Sequence, residues 1–488
     1  MKNHIHNRVL KITALSLLLI LTTYSFAQTK SEKIDELMSK YAEYGQFNGT
    51  VLVAEQGKII FKKGFGLANM EWDIPNQTDT KFRLGSITKQ FTGMLILQLF
   101  EQGKLKLDVP ISSYLPDYPK TAGDRITIHH LLTHTSGIPN YTSFPNFFKD
   151  TSKNFYTPEQ FVKQFSSLPL EFLPGEKFDY SNSGYFLLGY IIEKVSGKSY
   201  EECLQTQILT PLKMTNSGFD HSEIITKKRA AAYEKKGDDF VNAPYIDMNL
   251  PYSAGSIYST VEDLYLWDQA LYTETLISEK SKELYFGKHI ASGGGGHYGY
   301  GWGIFELPIE NSSEKLQINE HSGGINGFNT LISRVPADKN LAVFLNNTGS
   351  TNLSQMSKGI RAILYNKTYE MPKKSLVLTL SNDINSKGFK IALINYTENK
   401  KSNNYLLKED EMNSLGYEFL QSGKIKEAIE IFKLNVEAFQ NSGNTYDSLG
   451  EAYLANGDKK LALLNYKKSV ALDPSNENGK KIIQDLLK

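Results

Sequence analysis

Cysteine is nearly absent: Cys203 is the only one in 488 residues. That excludes an intramolecular disulfide and any cysteine-based metal cluster. Cys203 falls in the mixed pattern from Tyr200 to Ile208, which reads as part of a helix with the thiol as a small buried hydrophobe rather than a nucleophile. Charge of one sign is lacking too. The 54 basic and 53 acidic residues leave a net charge of +1, so no nucleic-acid or anionic-membrane footprint is expected. Short runs such as Lys400-Lys401 and Lys467-Lys468 read as solvated surface.

Long apolar runs are missing outside the N-terminus. There, Lys2, Arg8 and Lys11 precede an apolar stretch from Ile12 to Leu21, and Ser25-Phe26-Ala27 follows with small residues at the two positions a signal peptidase reads. This is the three-part layout of a secretory signal peptide over 1–27, with cleavage expected after Ala27. The stretch is short for a membrane anchor. The expectation is a periplasmic or secreted protein with no stable membrane span after cleavage.

Several catalytic signatures are also missing. No Gly-x-Ser-x-Gly elbow surrounds Ser86, which disfavours an α/β-hydrolase. His130 and His134 stand four apart and could share a helix face, but no His-Glu-x-x-His pattern accompanies them, so a structural use is favoured over a metal site. The Gly293–Gly296 run lacks a Gly-Lys-Ser/Thr ending and reads as a flexible loop. Tyr298, Tyr300 and Trp302 read as strand packing. No metal and no cofactor are expected.

What is present divides into parts. From about 30 to 367, strand and helix signals mix. Asn48–Ala54 and Lys58–Gly66 read as strands of a hairpin across Gln56-Gly57. Ser86–Gln102 has helical periodicity through Ile87, Phe91, Met94, Leu95 and Leu99, ending at Gly103. Later strand signals lie at Tyr300–Leu307, Leu316–His321, Asn329–Val335 and Leu341–Leu345, before a helix over Leu353–Tyr365. Strands at both ends with helices between predict an α/β (α+β) fold. It would have one antiparallel sheet built from N- and C-terminal segments, flanked by helices, plus an inserted helical lobe with the active site in the cleft between.

The last part, 409–488, is helical and repetitive. Leu415-Gly416 recurs as Leu449-Gly450, Gly423 as Gly457, Ala428 as Ala462 and Phe432 as Tyr466, each pair 34 residues apart. Asp473-Pro474 ends the second unit, whereas the first has Gln440 at the matching position. The pattern resembles two tetratricopeptide repeats in an all-α unit, which implies a protein partner or docking onto the preceding domain. Between them, 368–408 reads as a linker or a degenerate helix pair, with Gly388, Ala392 and Tyr396 resembling Gly423, Ala428 and Phe432.

The chemistry starts at Gly85-Ser86-Ile87-Thr88-Lys89. Lys89, three residues on, presents its amine on the helix face of the Ser86 hydroxyl. A serine needs a base to take its proton, and a lysine serves only if its pKa is lowered. Ser312-Ser313-Glu314-Lys315 has the same spacing in a polar loop, so spacing alone proves little. Tyr180-Ser181-Asn182 adds a phenol that can shuttle a proton and an amide that can hold both lysine and substrate. His321-Ser322-Gly323-Gly324 ends a strand, where Gly323 and Gly324 permit close approach and a backbone N–H can serve an oxyanion.

Ser-x-x-Lys, Tyr-x-Asn and a basic-x-Gly strand, in that order, resemble the serine beta-lactamase and penicillin-binding-protein superfamily, on its class C side. Leu131–Gly137 (LLTHTSG) and Ala254–Leu264 fit the same pattern. The resemblance covers about 30–367. It implies Ser86 as acylated nucleophile, Lys89 and Tyr180 sharing base and acid duty, and Asn182 orienting Lys89 and substrate. It also implies an oxyanion hole from the N–H groups of Ser86 and Gly324. His321 stands where the family's beta-lactamases carry lysine. It is expected to be partly charged near neutrality, which shifts the implied activity toward an esterase or D-amino-acid peptidase acting on a small-molecule or peptide substrate. Beta-lactamase or penicillin-binding activity is one alternative. A repeat-based scaffold with a vestigial hydrolase domain is another.

Overall fold

The computed structural model describes residues 28–236, 239–308, 315–349 and 351–488. The signal-peptide reading over 1–27, and most of the Ser312–Lys315 loop, lie outside them.

Helix α1 (Lys30–Glu43) opens with a Thr29/Glu32 capping box. Strands β1 (Gly49–Glu55) and β2 (Lys58–Phe65) form the expected hairpin through Gln56 and Gly57. Helix α2 (Thr88–Glu101) follows a short 3-10 turn at Gly85–Ile87, and every residue from Thr88 to Leu99 is buried. Helix α3 (Asn182–Ser196) ends in a left-handed Gly197, and α4 (Val261–Ala270) is capped by Thr260.

Strands β3 (Ile290–Gly293), β4 (Gly296–Tyr298), β5 (Gly303–Pro308), β6 (Lys315–Ile325), β7 (Phe328–Val335) and β8 (Asn340–Asn346) then follow one another, and helix α5 (Leu353–Leu364) closes this part. The eight-stranded sheet has the order β3-β4-β5-β6-β7-β8-β1-β2 and is antiparallel throughout. The N-terminal hairpin completes it by pairing β1 with β8, Gly49 opposite Asn346.

Period-two alternation explains the layering. Leu52 and Ala54 of β1, with Leu341, Val343 and Leu345 of β8, face the larger core of α2, α3 and α4. Val51 and Val53, with Ala342 and Phe344, face a second core made by α1 and α5. Both faces are covered, so these strands read as continuous apolar runs.

Two readings need correction. The stretch expected as one strand from Tyr300 contains a turn, so that Tyr300 and Trp302 are buried between β4 and β5 rather than within a strand. The Gly293–Gly296 run is no open loop: Gly293 pairs with Gly296 at the tip of the β3–β4 hairpin.

After α5 the chain is helical. Helices α6 (Leu376–Lys387) and α7 (Phe389–Asn399) form a pair across 368–408. Next come α8 (Glu409–Gln421), α9 (Ile425–Ala438), α10 (Gly443–Ala455), α11 (Lys459–Leu472) and α12 (Glu477–Leu486). Leu376, Val377, Leu380, Ala392 and Tyr396 share one core with Met412, Leu415 and Ile431. The helix pair is therefore packed onto the helices that follow it.

Candidate active site

The site is assembled where α2 and α3 begin beside β6. Gly85 has φ of 56°, and a Cβ there would lie 2.8 Å from the Gly324 nitrogen. Only glycine lets the Ser86 turn approach β6 this closely. The same contact requires Gly323, whose Cβ would fall 1.9 Å from the Leu84 carbonyl oxygen, whereas one on Gly324 would meet nothing within 4 Å. Gly323 is thus a packing residue, and Gly324 opens onto the cleft.

Lys89 is fully buried. Its Nζ lies 3.0 Å from Ser86 Oγ, 2.8 Å from Asn182 Oδ1 and 2.9 Å from the Ala254 carbonyl. It also sits 4.9 Å from the centroid of the Tyr180 ring. No carboxylate is among these partners. Burial holds the amine well below its usual range, because the charged form loses its hydration without a counter-charge. A neutral amine has two N–H bonds and one lone pair. Donating to Asn182 and Ala254 leaves that lone pair for the Ser86 hydroxyl.

Desolvation by burial pushes the Tyr180 phenol up, and the hydrogen bond with the Ser86 hydroxyl pulls it partly back. Tyr180, Ser181 and Asn182 are fixed by the segment before them. The Ser181 N–H donates to His134 Nδ1 (3.1 Å), and its hydroxyl donates to the Ile138 carbonyl (3.1 Å). The Asn182 N–H donates to Asn140 Oδ1 (3.1 Å), and its amide nitrogen donates to Thr142 (3.3 Å). Those last bonds orient Asn182 Oδ1 toward Lys89.

His134 does not share a helix face with His130. The helix ends at Leu132, and His134 turns out of it at φ of 57° to lie against Tyr180, ring centroids 4.2 Å apart. Among the described residues, no group of three or more His, Cys, Asp or Glu is placed to hold a metal ion.

His321 differs from the expectation of partial charge. It is buried, and burial together with the nearby Lys89 lowers its pKa to about 4. It is neutral at pH 7. Its Nε2 is 2.8 Å from the Tyr298 hydroxyl and its ring is 6.3 Å from Tyr180. Tyr298 and the Ala254 carbonyl are therefore partners that sequence reasoning missed. A backbone carbonyl leaves no residue-type signal, and Tyr298 arrives from an edge hairpin.

A cavity of about 100 Å³ opens over Ser86. Tyr141, Phe147, Phe148, Ile246 and Ile325 form its apolar wall, with Asn182 and Gly324 at its polar end.

Residues 33–367 match the family model described as Beta-lactamase. The chain belongs to the beta-lactamase family. As a member it is a serine hydrolase acting on ester or amide bonds. This beta-lactamase-family chain is 31% identical over 365 residues to penicillin-binding protein 4* of Bacillus subtilis (strain 168), covering 71% of this chain and 79% of that one. It is 34% identical over 243 residues to a teichoic acid D-alanine hydrolase of Staphylococcus aureus, covering 49% and 57%. The structure of the octameric penicillin-binding protein homologue from Pyrococcus abyssi superposes with a TM-score of 0.60 at 31% identity, covering 69% and 77%. The family match ends at residue 367, before the C-terminal helices. No helix among the described residues is long and apolar enough to cross a membrane.

Proposed function

We propose that this chain is an exported hydrolase that forms an ester on Ser86. The observation that carries the reading is the buried Lys89, with the Ser86 hydroxyl as one of its three polar partners. Lys89 takes the Oγ proton as Oγ attacks the substrate carbonyl. The N–H groups of Ser86 and Gly324 receive the developing oxyanion. Tyr180 passes a proton to the leaving group, and water then hydrolyses the acyl ester, returning Ser86. Asn182 holds Lys89 in place and faces the substrate. The apolar wall favours a small acyl group with an alkyl or aromatic neighbour, such as a D-alanyl ester or amide. The names of the relatives support that class.

Export rests on the 1–27 pattern. The helices from 409 onward act as two tetratricopeptide repeats presenting a surface to a protein partner. In support, α8 and α10 start 34 residues apart, as do α9 and α11. A Cβ on Gly416 would lie 2.4 Å from Phe432, and one on Gly450 would lie 3.1 Å from Tyr466. The small-against-aromatic pairing thus repeats in three dimensions.

Hydrolysis of a short-chain nitrophenyl ester tests the chemistry. Ser86→Ala is expected to reduce turnover at least about a thousandfold. Residual turnover close to that of the unaltered protein would remove Ser86 from the mechanism.

A further inference from the structure

One buried residue holds the backbone on both sides of Tyr180. His134 is 1% exposed. Its carbonyl accepts the Asp179 N–H at 2.8 Å, and its ring Nδ1 accepts the Ser181 N–H at 3.1 Å. The ring lies on the Tyr180 ring, centroids 4.2 Å apart and planes tilted by 32°. To reach this place His134 adopts φ of 57°, a left-handed conformation that is costly for a side chain other than glycine. The tautomer follows from the bond to Ser181. Nδ1 accepts, so in the neutral ring the proton sits on Nε2, which has no hydrogen-bond partner among the described residues. A second proton would have to enter at Nδ1, where it would meet the Ser181 N–H donor to donor. Lys89, His321, Tyr180, Tyr185 and Tyr298 surround the ring, and the Asp179 carboxylate pairs with Lys177 at the surface, 3.8 Å away. Burial, and then Lys89, hold the imidazole well below its usual range.

We propose that, with Ser86 acylated and Tyr180 as the proton donor, His134 is the positioning residue that aligns the Tyr180 phenol through the Ser181 bond and so lets this site expel poor leaving groups. Without the Nδ1 acceptor the buried Ser181 N–H is left unpaired, and the turn carrying Tyr180 shifts toward another partner. Asn182 has anchors of its own in Asn140 and Thr142, so Lys89 keeps its partners and the loss falls on proton donation. A nitrophenolate departs as an anion and needs no phenol. An alkoxide or an amine departs only as it takes a proton.

Two esters of N-acetyl-D-alanine, 4-nitrophenyl and methyl, separate these steps when kcat/KM is measured on the full chain. His134→Phe keeps an aromatic ring beside Tyr180 and drops the acceptor. It is expected to lose about 10²-fold on the methyl ester and less than about threefold on the nitrophenyl ester. His134→Asn sets an amide oxygen near the Nδ1 position and tolerates the left-handed backbone, so it should recover at least about tenfold of that loss. Tyr180→Phe should show the same selective loss, and adding His134→Phe to it should cost no further selectivity. Equal losses on both esters in His134→Phe, an equally selective loss in His134→Asn, or selective losses that add in the double variant would overturn the proposal. Should His134→Phe not fold, His134→Asn decides: an unaltered ester ratio is expected, and a tenfold fall in it overturns the proposal. A Tyr180→Phe variant without selective loss would instead remove Tyr180 as donor, and no acyl group on Ser86 by peptide mass would remove the hydrolase reading itself.

Discussion

At the scale of single residues, the site trades stability for reactivity. Lys89 has no carboxylate partner and lies deep in the core. Its folded pKa is well below that of the unfolded chain. Between those two values the unfolded state binds a proton that the folded state does not, so the folded state loses stability as pH falls from about 10.5 toward the folded value. Lys89→Met is therefore expected to slow Ser86 acylation by about 10² to 10⁴ while raising the melting midpoint at pH 7. That gain should shrink as pH approaches 10. Calorimetry across this range checks the sign, and a lower midpoint at pH 7 would mean the amine is stabilising. Ser86, Lys89, Tyr180 and Asn182 were legible because each carries a distinctive functional group at a fixed place around the start of a helix. The charge of His321 was not. It depends on burial and on the nearby Lys89, and neither is local in sequence.

At the scale of elements, the cleft depends on how closely the Ser86 turn meets β6. The two glycines of that strand look alike in sequence, since both permit close approach. The pleat separates them: Gly323 faces the Leu84 carbonyl, and Gly324 faces open space. Gly323→Ala is expected to lower the melting midpoint and abolish acylation, at a cost of about 2–4 kcal/mol from overpacking against backbone. Gly324→Ala should leave the melting midpoint unchanged and instead alter substrate turnover. A thermal shift series with both variants checks the contrast, and equal destabilisation would contradict it. Helix α2 announced itself through apolar periodicity. The β3–β4 hairpin did not, because glycine runs carry no alternation and its apolar content is small.

At the scale of the whole molecule, two sheet-facing cores and a separate helical array share one chain. The closing of the sheet by β8 and β1 was legible from strand signals at both ends of the first part. The packing of α6 and α7 onto α8 and α9 was not, because 368–408 has only loose spacing. Its consequence is practical. Cutting after residue 408 would expose Leu376, Leu380, Ala392 and Tyr396, which pack on Met412, Leu415 and Ile431. A chain ending at 408 is expected to aggregate or to show increased binding of a hydrophobic dye. One ending at 367 should stay monodisperse and acylate Ser86 at the full-length rate. Size-exclusion chromatography with a labelling time course distinguishes them, and loss of labelling in the shorter chain would tie the helices to catalysis.

The central claim is that the Lys89-activated Ser86 carries the acyl group. Reacting the full-length protein with a slowly released acylating ester, then digesting it and mapping the adduct by mass spectrometry, tests that directly. The expected result is one acyl adduct, on the peptide containing Ser86, absent from Ser86→Ala. An adduct on another residue, or one that persists in Ser86→Ala, would contradict it.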